Sequence, residues 1–311
     1  MAVSPIFLIS LPRSGSTFLQ KILMSHPEIA STAEPWFLLP LCHMRKKQGV
    51  FTYYGHTQAV NAFKRIEKDC GKDFIDYRIA EFATSVYDEY AQNNESYFLD
   101  KTPRYYHILD DLIRIFPDAK FIVLIRNPIS VFASSITGLK GDSVRRLDHL
   151  DRDLHQGPEK IAHFAEKYKN QLYLVRYEDL ITDTENSIKS ICKYLKIDYS
   201  RDLVDHSFSV QLKGHGDHIG ARKYKNVTNT LDKWKTVINT PYRKLRLKKL
   251  LQRYSASYLK LGEYDRALLI DELNAHKVIG VPLAEYLYAV EETTVRACKW
   301  FLGNRDGFKK L

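Results

Sequence analysis

The sequence predicts an α/β protein with three layers, in which a mostly parallel central sheet is flanked by helices on both faces. Two observations support this prediction. Short apolar runs alternate along the chain with segments whose apolar residues recur at helical spacing, a pattern typical of parallel sheets. The apolar runs are nearly continuous, as expected of strands buried on both faces. The 311 residues suffice for one large α/β domain or two small ones.

The predicted elements follow in chain order. Strands are expected where apolar runs end in turns, at residues 5–10, 28–32, 96–100 and 120–126, and residues 172–180 are expected to hold a strand and its exit. Helices are expected where apolar residues share one face, at residues 16–26, 57–92 (two helices broken near Gly71), 103–117, 128–139, 157–171, 184–197 and 240–260, and again after residue 262. Ser16 is expected to cap the first helix. Without an internal repeat or linker, the chain is interpreted as a core of residues 1–265 with a helical C-terminal extension, residues 266–311.

Composition excludes several classes of protein. With 44% hydrophobic and 27% charged residues the chain resembles a soluble globular protein, and no apolar run approaches the ~20 residues that span a bilayer. The N-terminal residues lack the basic segment of a signal peptide, so a cytoplasmic location is expected. The four cysteines (Cys42, Cys70, Cys192 and Cys298) are scattered without metal-ligand spacing, which favours reduced thiols and no metal site.

Positive charge is concentrated in one block. The net charge is +10, and residues 213–260 hold thirteen Lys or Arg against two Asp. Such a block is compatible with nucleic acid, anionic lipid or a polyanionic small ligand. An amphipathic helix with a solvated basic face accounts for most of these charges, and the basic residues before that helix require a separate explanation.

The first candidate site is the stretch FLISLPRSGSTFLQ, residues 7–20. A strand, a Gly/Ser turn and a helix N-terminus present converging N–H groups and the positive end of a helix dipole, which suits an anion. The triphosphate loop GxxxxGK[ST] would need a second glycine and a lysine, and neither is present. From this stretch alone, an ordinary strand-to-helix turn remains an alternative.

The second candidate site is FIVLIRNPISVFASS, residues 121–135. Arg126 ends a predicted buried strand, where ligands of open α/β sheets bind, and its guanidinium can hold a phosphate with two hydrogen bonds. Ser134 lies eight positions further on, in the following helix. For each residue alone, a salt bridge or a helix-surface position is the simpler interpretation.

Taken together, PRSGSTF and IRNPISVFASS resemble the sulfotransferases that use 3′-phosphoadenylyl sulfate (PAPS). The resemblance covers about residues 5–240 and implies a P-loop-like nucleotide-binding topology. In that family the first motif is a 5′-phosphosulfate loop, and the second supplies an Arg and a Ser to the 3′-phosphate. A donor with one 5′-phosphate explains the absent triphosphate loop. No metal is expected.

The resemblance implies donor-binding roles for a set of residues. The phosphosulfate loop comprises Arg13, Ser14, Gly15, Ser16, Thr17 and Phe18, with Ser16 where many members have Thr. Arg126 and Ser134 match the pair that binds the 3′-phosphate, and Tyr177, at the exit of the last strand, is added to this set. In a late basic segment, Arg222 and Lys223 replace the family's usual RKG, and Trp234 and Lys235 resemble its W-K/R element.

The resemblance also implies the catalytic residues. Glu34, twenty-one positions after Arg13, matches the glutamate base of the tyrosyl-protein and related bacterial members; its alternative role is an N-terminal acid of a helix. Lys101 matches a lysine near the transferred group, where it would stabilise developing charge together with Arg13; its alternative is a solvated loop lysine. Arg104 is a possible assistant, and His26 and His107 are rival bases.

Three functions are compared. The favoured one is transfer of a sulfuryl group from PAPS to a hydroxyl of an acceptor, expected to be a carbohydrate, with a lipid or other small alcohol or phenol as the alternative. Residues 36–95, rich in Tyr, Phe and Lys, are expected to form a helical acceptor-side cap.

A nucleotide kinase is disfavoured by the missing lysine. A non-catalytic binder of anionic lipid or nucleic acid is the third, and the absence of a repeated aromatic pattern disfavours nucleic acid; peripheral membrane contact through 213–260 stays open.

Overall fold

The computed structural model describes residues 2–137, 150–207, 209–212 and 231–278, and the single residues 280, 285, 287, 290 and 294. Within them, five strands form one sheet in the order β2-β3-β1-β4-β5, and every neighbouring pair is parallel. The strands are β1 (Ser4–Ser10), β2 (Ile29–Ser31), β3 (Tyr97–Asp100), β4 (Lys120–Ile125) and β5 (Leu172–Arg176). The predicted parallel sheet is confirmed.

Helices occupy most of the remaining described chain. Those before β4 are α1 (Ser16–Leu23), α2 (Leu38–His43), α3 (His56–Cys70), α4 (Phe74–Tyr90) and α5 (Leu109–Ile115), with a 3₁₀ turn at Tyr105–His107. Between β4 and β5 lie α6 (Pro128–Ile136) and α7 (Asp151–Lys167). The later helices are α8 (Tyr177–Thr182), α9 (Thr184–Leu195), α10 (Asp202–Ser207), α11 (Trp234–Val237), α12 (Pro241–Arg253), α13 (Ala256–Leu261) and α14 (Arg266–Ala275), with a 3₁₀ turn at Leu231–Lys233.

The sheet is buried between two hydrophobic layers because successive side chains of a strand point to opposite faces. On β1, Phe7 and Ile9 face one layer, which also takes residues from α4 to α7 and from α12 and α13. Ile6 and Leu8 face the other layer, which is built from α1, α8 and α9. All four side chains are at most 1% exposed. This double burial explains why the strands read as continuous apolar runs in the sequence.

The sheet order places a crevice at the carboxyl end of β1. The chain leaves β1 for β2 and β3 on one side and later crosses to β4 and β5 on the other. In open α/β sheets such a reversal of strand order leaves a ligand crevice outside the strand ends. Both sequence motifs begin at this edge, one after β1 and one after β4.

Some local predictions were wrong, and one of them is the helix over 240–260, which is broken at Tyr254 into α12 and α13. The predicted helix over 103–117 is instead a 3₁₀ turn followed by α5, because Ile108 between them has φ −134° and interrupts the helix. Ser16 does not cap α1; the capping position is Gly15, in the left-handed conformation and without a side-chain hydrogen bond. In addition, α7 begins six residues before the predicted start at residue 157, since it runs from Asp151 through Gly157 and Pro158.

The two helices predicted within residues 57–92 are confirmed as α3 and α4, and Gly71 ends the first of them. Both belong to the segment that joins β2 to β3. The predicted C-terminal extension falls largely outside the described residues, apart from α14 and a few single positions. Among the helices described, none is long and apolar enough to cross a membrane.

Candidate active site

The predicted functional residues follow the strands in the order of the sheet. Glu34 follows β2, Lys101 follows β3, the loop of residues 13–17 follows β1, Arg126 follows β4 and Tyr177 follows β5. Because all five strands are parallel, these residues meet at one edge. Three strand spacings, about 14 Å, separate the strand of Glu34 from that of Arg126. The edge is therefore long enough for an extended ligand.

The turn after β1 forms an anion cradle. Arg13 and Gly15 both have positive φ, 72° and 94°, so the backbone curls as it enters α1. Such alternation turns successive N–H groups inward, and the first N–H groups of α1 lack helical acceptors. Ser14 is fully buried, and its Oγ has no hydrogen-bond partner among the described residues. A buried hydroxyl left over in such a turn fits a phosphate or sulfate oxygen.

Tyr177 covers this turn. A Cβ added to Gly15 would lie 2.5 Å from Cδ2 of the Tyr177 ring and closer still to Cε2, so only glycine fits beneath the ring. The Tyr177 ring also contacts Arg126: the guanidinium carbon lies 4.0 Å from the ring centroid, a cation–π contact. Tyr177 thus joins the first motif to the second.

Gly15→Ala should therefore abolish binding of the nucleotide expected at this turn and destabilise the fold. The new methyl group would displace the buried Tyr177 ring, and a left-handed alanine adds strain of about 1–3 kcal/mol. The measurements are chemical denaturation and calorimetric binding of 3′,5′-ADP. Gly71→Ala is the matched control, because Gly71 has φ 115° but no atom within 4 Å of an added Cβ. If both variants lose nucleotide binding, the close approach of Tyr177 to Gly15 is not the cause.

Arg126 and Ser134 meet the phosphate loop directly. Arg126 is buried, and its Nη1 donates to the carbonyl oxygen of Arg13 at 3.1 Å. Nε of Arg13 in turn donates to Ser134 Oγ at 3.4 Å. The backbone N–H of Arg126 donates to the hydroxyl of buried Tyr258 at 3.2 Å, which fixes the end of β4. Two motifs more than a hundred positions apart form one polar cluster.

Glu34 and Lys101 form a buried ion pair beside this cluster. Their side chains are 7% and 1% exposed, and Lys101 Nζ lies 2.7 Å from Glu34 Oε1. Trp36 Nε1 donates to the other carboxylate oxygen at 2.9 Å, and Lys101 also donates to Thr17 Oγ1 at 3.5 Å. The interpretation of Lys101 as a solvated loop residue is wrong. The ammonium instead bridges the phosphate loop and the carboxylate.

The helix-terminus alternative for Glu34 is also wrong. The next helix, α2, begins at Leu38 with Phe37 at its capping position. Glu34 is instead held by the segment that leaves β2. Gln20 of α1 supports that segment, since its Nε2 donates to the carbonyl oxygens of Thr32 and Ala33 at 2.7 and 3.2 Å.

Neither rival histidine is placed to act as a base here. Both ring nitrogens of buried His26 are in hydrogen bonds, Nδ1 with the N–H of Glu28 at 3.1 Å and Nε2 with the carbonyl of Asp198 at 2.8 Å. His107 faces a separate cavity of about 270 Å³ that Lys46 and Lys160 also line. Burial, followed by the charge of Lys160, lowers the pKa of His107 to about 4.

Asp100 is a buried site residue that the sequence analysis missed. It ends β3 and precedes Lys101, and it accepts hydrogen bonds from the hydroxyls of Tyr87 (2.7 Å), Tyr105 (2.8 Å) and Thr102 (3.3 Å). Burial raises the pKa of Asp100 to about 6, against the opposing effect of these donors and of Lys101. Its position beside Lys101 in LDKTPR was the available signal, but two of its three partners, Tyr87 and Tyr105, lie outside that stretch.

The late basic segment is only partly described. Arg222 and Lys223 lie outside the described residues. Trp234 is 3% exposed and packs edge-on against His276, with ring centroids 5.2 Å apart. Lys235 pairs with Asp232 at 2.5 Å. The roles assigned to these residues at the 3′-phosphate stay predictions.

The sulfotransferase family model matches residues 5–201 of this chain, more than half of its length. The chain belongs to the sulfotransferase family. The matched region contains β1 to β5 and every candidate residue of the sheet edge, so the family match and the geometry concern the same site.

Relatives of this sulfotransferase-family chain include the nodulation protein NoeE of Sinorhizobium fredii, which is 32% identical over 152 residues, 42% of this chain and 32% of that protein. A protein-tyrosine sulfotransferase of Drosophila melanogaster is 21% identical over 211 residues, 65% of this chain and 40% of that protein. The chain thus spans less than half the length of these two relatives. The sulfotransferase domain of the Synechococcus PCC 7002 olefin synthase has the same fold, with 22% identity, a TM-score of 0.55, and coverage of 85% of this chain and 96% of that one.

The arrangement at this edge combines an anion cradle, several fixed cations and a buried carboxylate. In the part of the chain that the structure describes, no three His, Cys, Asp or Glu side chains are placed to hold a metal ion. Glu34 can accept a proton, Lys101 and Arg13 can stabilise negative charge, and the loop can hold a phosphate. These are the capacities that group transfer from an anionic donor requires.

Proposed function

We propose that this chain transfers a sulfuryl group from PAPS to a hydroxyl of an acceptor, with a carbohydrate as the acceptor class. One observation supports this proposal most directly. Lys101 Nζ bridges Thr17 of the phosphate loop (3.5 Å) and the carboxylate of Glu34 (2.7 Å). A cation between an anion cradle and a base lies where charge moves during transfer from a phosphosulfate to an alcohol.

The residues present fit PAPS as the donor substrate. The Ser14 Oγ, which has no hydrogen-bond partner in the described part of the chain, and the first turn of α1 suit a single 5′-phosphosulfate. Arg126 and Ser134, linked to the loop through Arg13, offer a guanidinium and a hydroxyl to a second phosphate. A nucleotide with one 5′-phosphate group and a separate 3′-phosphate matches two anion sites on neighbouring strands better than a triphosphate does.

The proposed reaction is an in-line displacement at sulfur. The acceptor oxygen forms the new S–O bond while the bond from sulfur to the bridging phosphate oxygen breaks, and the products are a sulfate ester and 3′,5′-ADP. Glu34 receives the proton of the acceptor hydroxyl. Lys101 and Arg13 stabilise the charge that accumulates on the departing phosphate. Because Lys101 contacts Glu34 and the loop, one residue aligns the base with the transferred group.

The acceptor class is inferred from the base and from exposed aromatic side chains. Glutamate bases are a feature of the carbohydrate and tyrosyl-protein members that the chain resembles. Several aromatic side chains of the segment between β2 and β3 are exposed, among them Phe51, Tyr53 and Tyr77. Aromatic faces suit sugars, phenols and lipids alike, so a lipid or other small-molecule alcohol is the alternative acceptor.

Two measurements test the proposed function. Radiolabelled PAPS is incubated with saccharides, phenols and lipid alcohols, and transfer to at least one class is expected. Calorimetry should show binding of 3′,5′-ADP, and Arg126→Ala should weaken that binding far more than the binding of adenosine 5′-phosphosulfate, which lacks the 3′-phosphate. Tight Mg²⁺-dependent binding of ATP, without binding of 3′,5′-ADP, would instead indicate a nucleotide kinase.

A further inference from the structure

Arg104 lies close to the buried ion pair but is not part of it. It follows Lys101 by three positions, and its guanidinium carbon lies 5.9 Å from the centroid of the Trp36 ring. The same indole donates through Nε1 to Glu34 at 2.9 Å. The guanidinium therefore stands one indole ring away from the proposed base, on the side of the strands β2 and β3.

The guanidinium is held by a buried carboxylate. Arg104 Nε and Nη2 donate to the two oxygens of Asp153 at 3.2 and 3.0 Å. Asp153 is only 4% exposed, and it also accepts from the Tyr106 hydroxyl at 2.6 Å. A guanidinium gripped along one edge has a fixed plane, so the direction of its remaining donors is set in advance.

Two of the three remaining N–H donors are on Nη1, to which the structure gives no hydrogen bond among the residues that it describes, and the third is the second N–H of Nη2. The Arg104 side chain is 40% exposed, so a bound molecule can reach it. Burial lowers the pKa of Arg104, but its hydrogen bonds with Asp153 and the charge of Asp153, then Tyr106 and Glu34, outweigh this effect and raise it. The group stays a cation that offers two oriented N–H bonds.

Trp36 is held in an unusual conformation beside this donor. Its φ is 61°, a left-handed value that costs a non-glycine residue energy and is concentrated at functional sites. The Trp36 N–H donates to Thr102 Oγ1 at 3.3 Å, and the Glu34 hydrogen bond orients the indole. The half-buried ring is thereby fixed next to both the base and the Arg104 guanidinium.

We propose that Arg104 and Trp36 recognise the acceptor: Nη1 of Arg104 donates to an oxygen next to the hydroxyl that is sulfated, while the indole contacts the carbon face of the same molecule. This inference rests on the proposed function and narrows it. A simple alcohol or phenol has one oxygen, which must lie at Glu34, and so gives Nη1 nothing to bind. An acceptor with neighbouring oxygens on one ring, a saccharide-type polyol, uses both groups.

The charge balance favours a neutral polyol over an anionic acceptor. Asp153 compensates the charge of Arg104, so the pair as a whole offers hydrogen-bond donors without a net positive charge. A site built for a carboxylate or a second sulfate would leave the guanidinium uncompensated. Neutral hydroxyls need only the oriented donors.

The test compares matched acceptors in matched variants. The probes are methyl hexopyranosides and their monodeoxy analogues, each lacking one hydroxyl beside the sulfated position. Wild-type kcat/KM should fall roughly 10- to 100-fold for the decisive deoxy analogue, as expected for a lost hydrogen bond to a charged donor. In Arg104→Met, the ratio of kcat/KM for the parent glycoside to kcat/KM for its deoxy analogue should approach one. KM for PAPS should stay unchanged.

Arg114→Met is the matched control. Arg114 is 42% exposed and pairs with Asp76, which is 7% exposed. Arg114→Met therefore removes a half-exposed arginine from a buried aspartate, as Arg104→Met does, but at a different place in the fold. Arg114→Met should leave the ratio of kcat/KM for the parent glycoside to that for its deoxy analogue at the wild-type value. Arg104→Lys, which keeps the charge but loses the fixed plane, provides a second variant if Arg104→Met folds poorly, and it should also reduce the ratio.

Two outcomes overturn the inference. An unchanged ratio in both Arg104 variants means that Arg104 acts only on Glu34 or on the fold. Transfer to phenols or simple alcohols, without transfer to any hexopyranoside, excludes a saccharide-type acceptor. Failure of the proposed function is distinguishable, because then PAPS reacts with no acceptor class. In that case the same ratio, measured as calorimetric Kd for the glycosides with 3′,5′-ADP bound, still decides the role of Arg104.

Discussion

Glu34→Gln should bind 3′,5′-ADP as the wild type does and transfer the sulfuryl group at least about a hundredfold more slowly, within the usual range for loss of a general base. Glutamine preserves the size of the side chain but cannot take the acceptor proton. It also has one acceptor oxygen where the carboxylate has two, so either Lys101 Nζ or Trp36 Nε1 loses its partner. The proposed donor site, built on β1 and β4, does not include that carboxylate.

The measurement is kcat with saturating acceptor, together with calorimetric binding of the nucleotide. Glu28→Gln is the matched control, because Glu28 stands at the opposite end of the same strand and bonds Ser96 through its side chain. Wild-type turnover by Glu34→Gln would remove the base assignment. A loss that appears only in nucleotide binding would move Glu34 from the acceptor reaction to the donor site.

Lys101→Met should cost both activity and stability. It removes the cation from a carboxylate that is only 7% exposed, and breaking a buried ion pair by deleting one partner typically destabilises a protein by about 3–5 kcal/mol. The Lys101→Met/Glu34→Gln double variant should recover part of this loss, because no charge is then stranded. Denaturant unfolding of the wild type, both single variants and the double variant gives the coupling free energy between the two residues.

Lys167→Met serves as the control for this cycle. Lys167 pairs with Asp110 at 2.8 Å, but their side chains are 47% and 68% exposed, and solvent screens such pairs, so stability should hardly change. If Lys101→Met is no more destabilising than Lys167→Met, the burial of the Glu34–Lys101 pair has no energetic consequence. If the double variant is as unstable as the sum of the single variants, the two residues are not coupled.

The parts of the site that local sequence could predict are those made by a single continuous segment. The turn from β1 into α1 is one such segment. Its Gly and Ser residues predict a phosphate-binding turn without reference to any distant residue. Arg126 was predictable for the same reason, because a buried apolar run that ends in a lone arginine places a charge at a strand end. The strand order was less accessible, since no local pattern says that β3 lies between β2 and β1.

The parts that were missed depend on distant partners. Tyr105 and Tyr106 lie in a stretch with helical spacing, but their hydroxyls reach Asp100 and Asp153, and these hydrogen bonds accompany the break in the predicted helix. Similarly, nothing in STAEPWF shows that Glu34 pairs with a lysine 67 positions further on. Tertiary contacts override local propensity at such places.

The order of the strands has a consequence for how such a protein can change its specificity. The residues proposed to handle the acceptor follow β2 and β3, and the long helical segment joins these two strands along the chain. The residues proposed to hold the donor follow β1, β4 and β5. Insertions, deletions or substitutions in the first half can thus alter what is modified while the nucleotide half is inherited intact. Lys101 contacts both halves, through Thr17 after β1 and Glu34 after β2. Substitutions should therefore be tolerated least at this position.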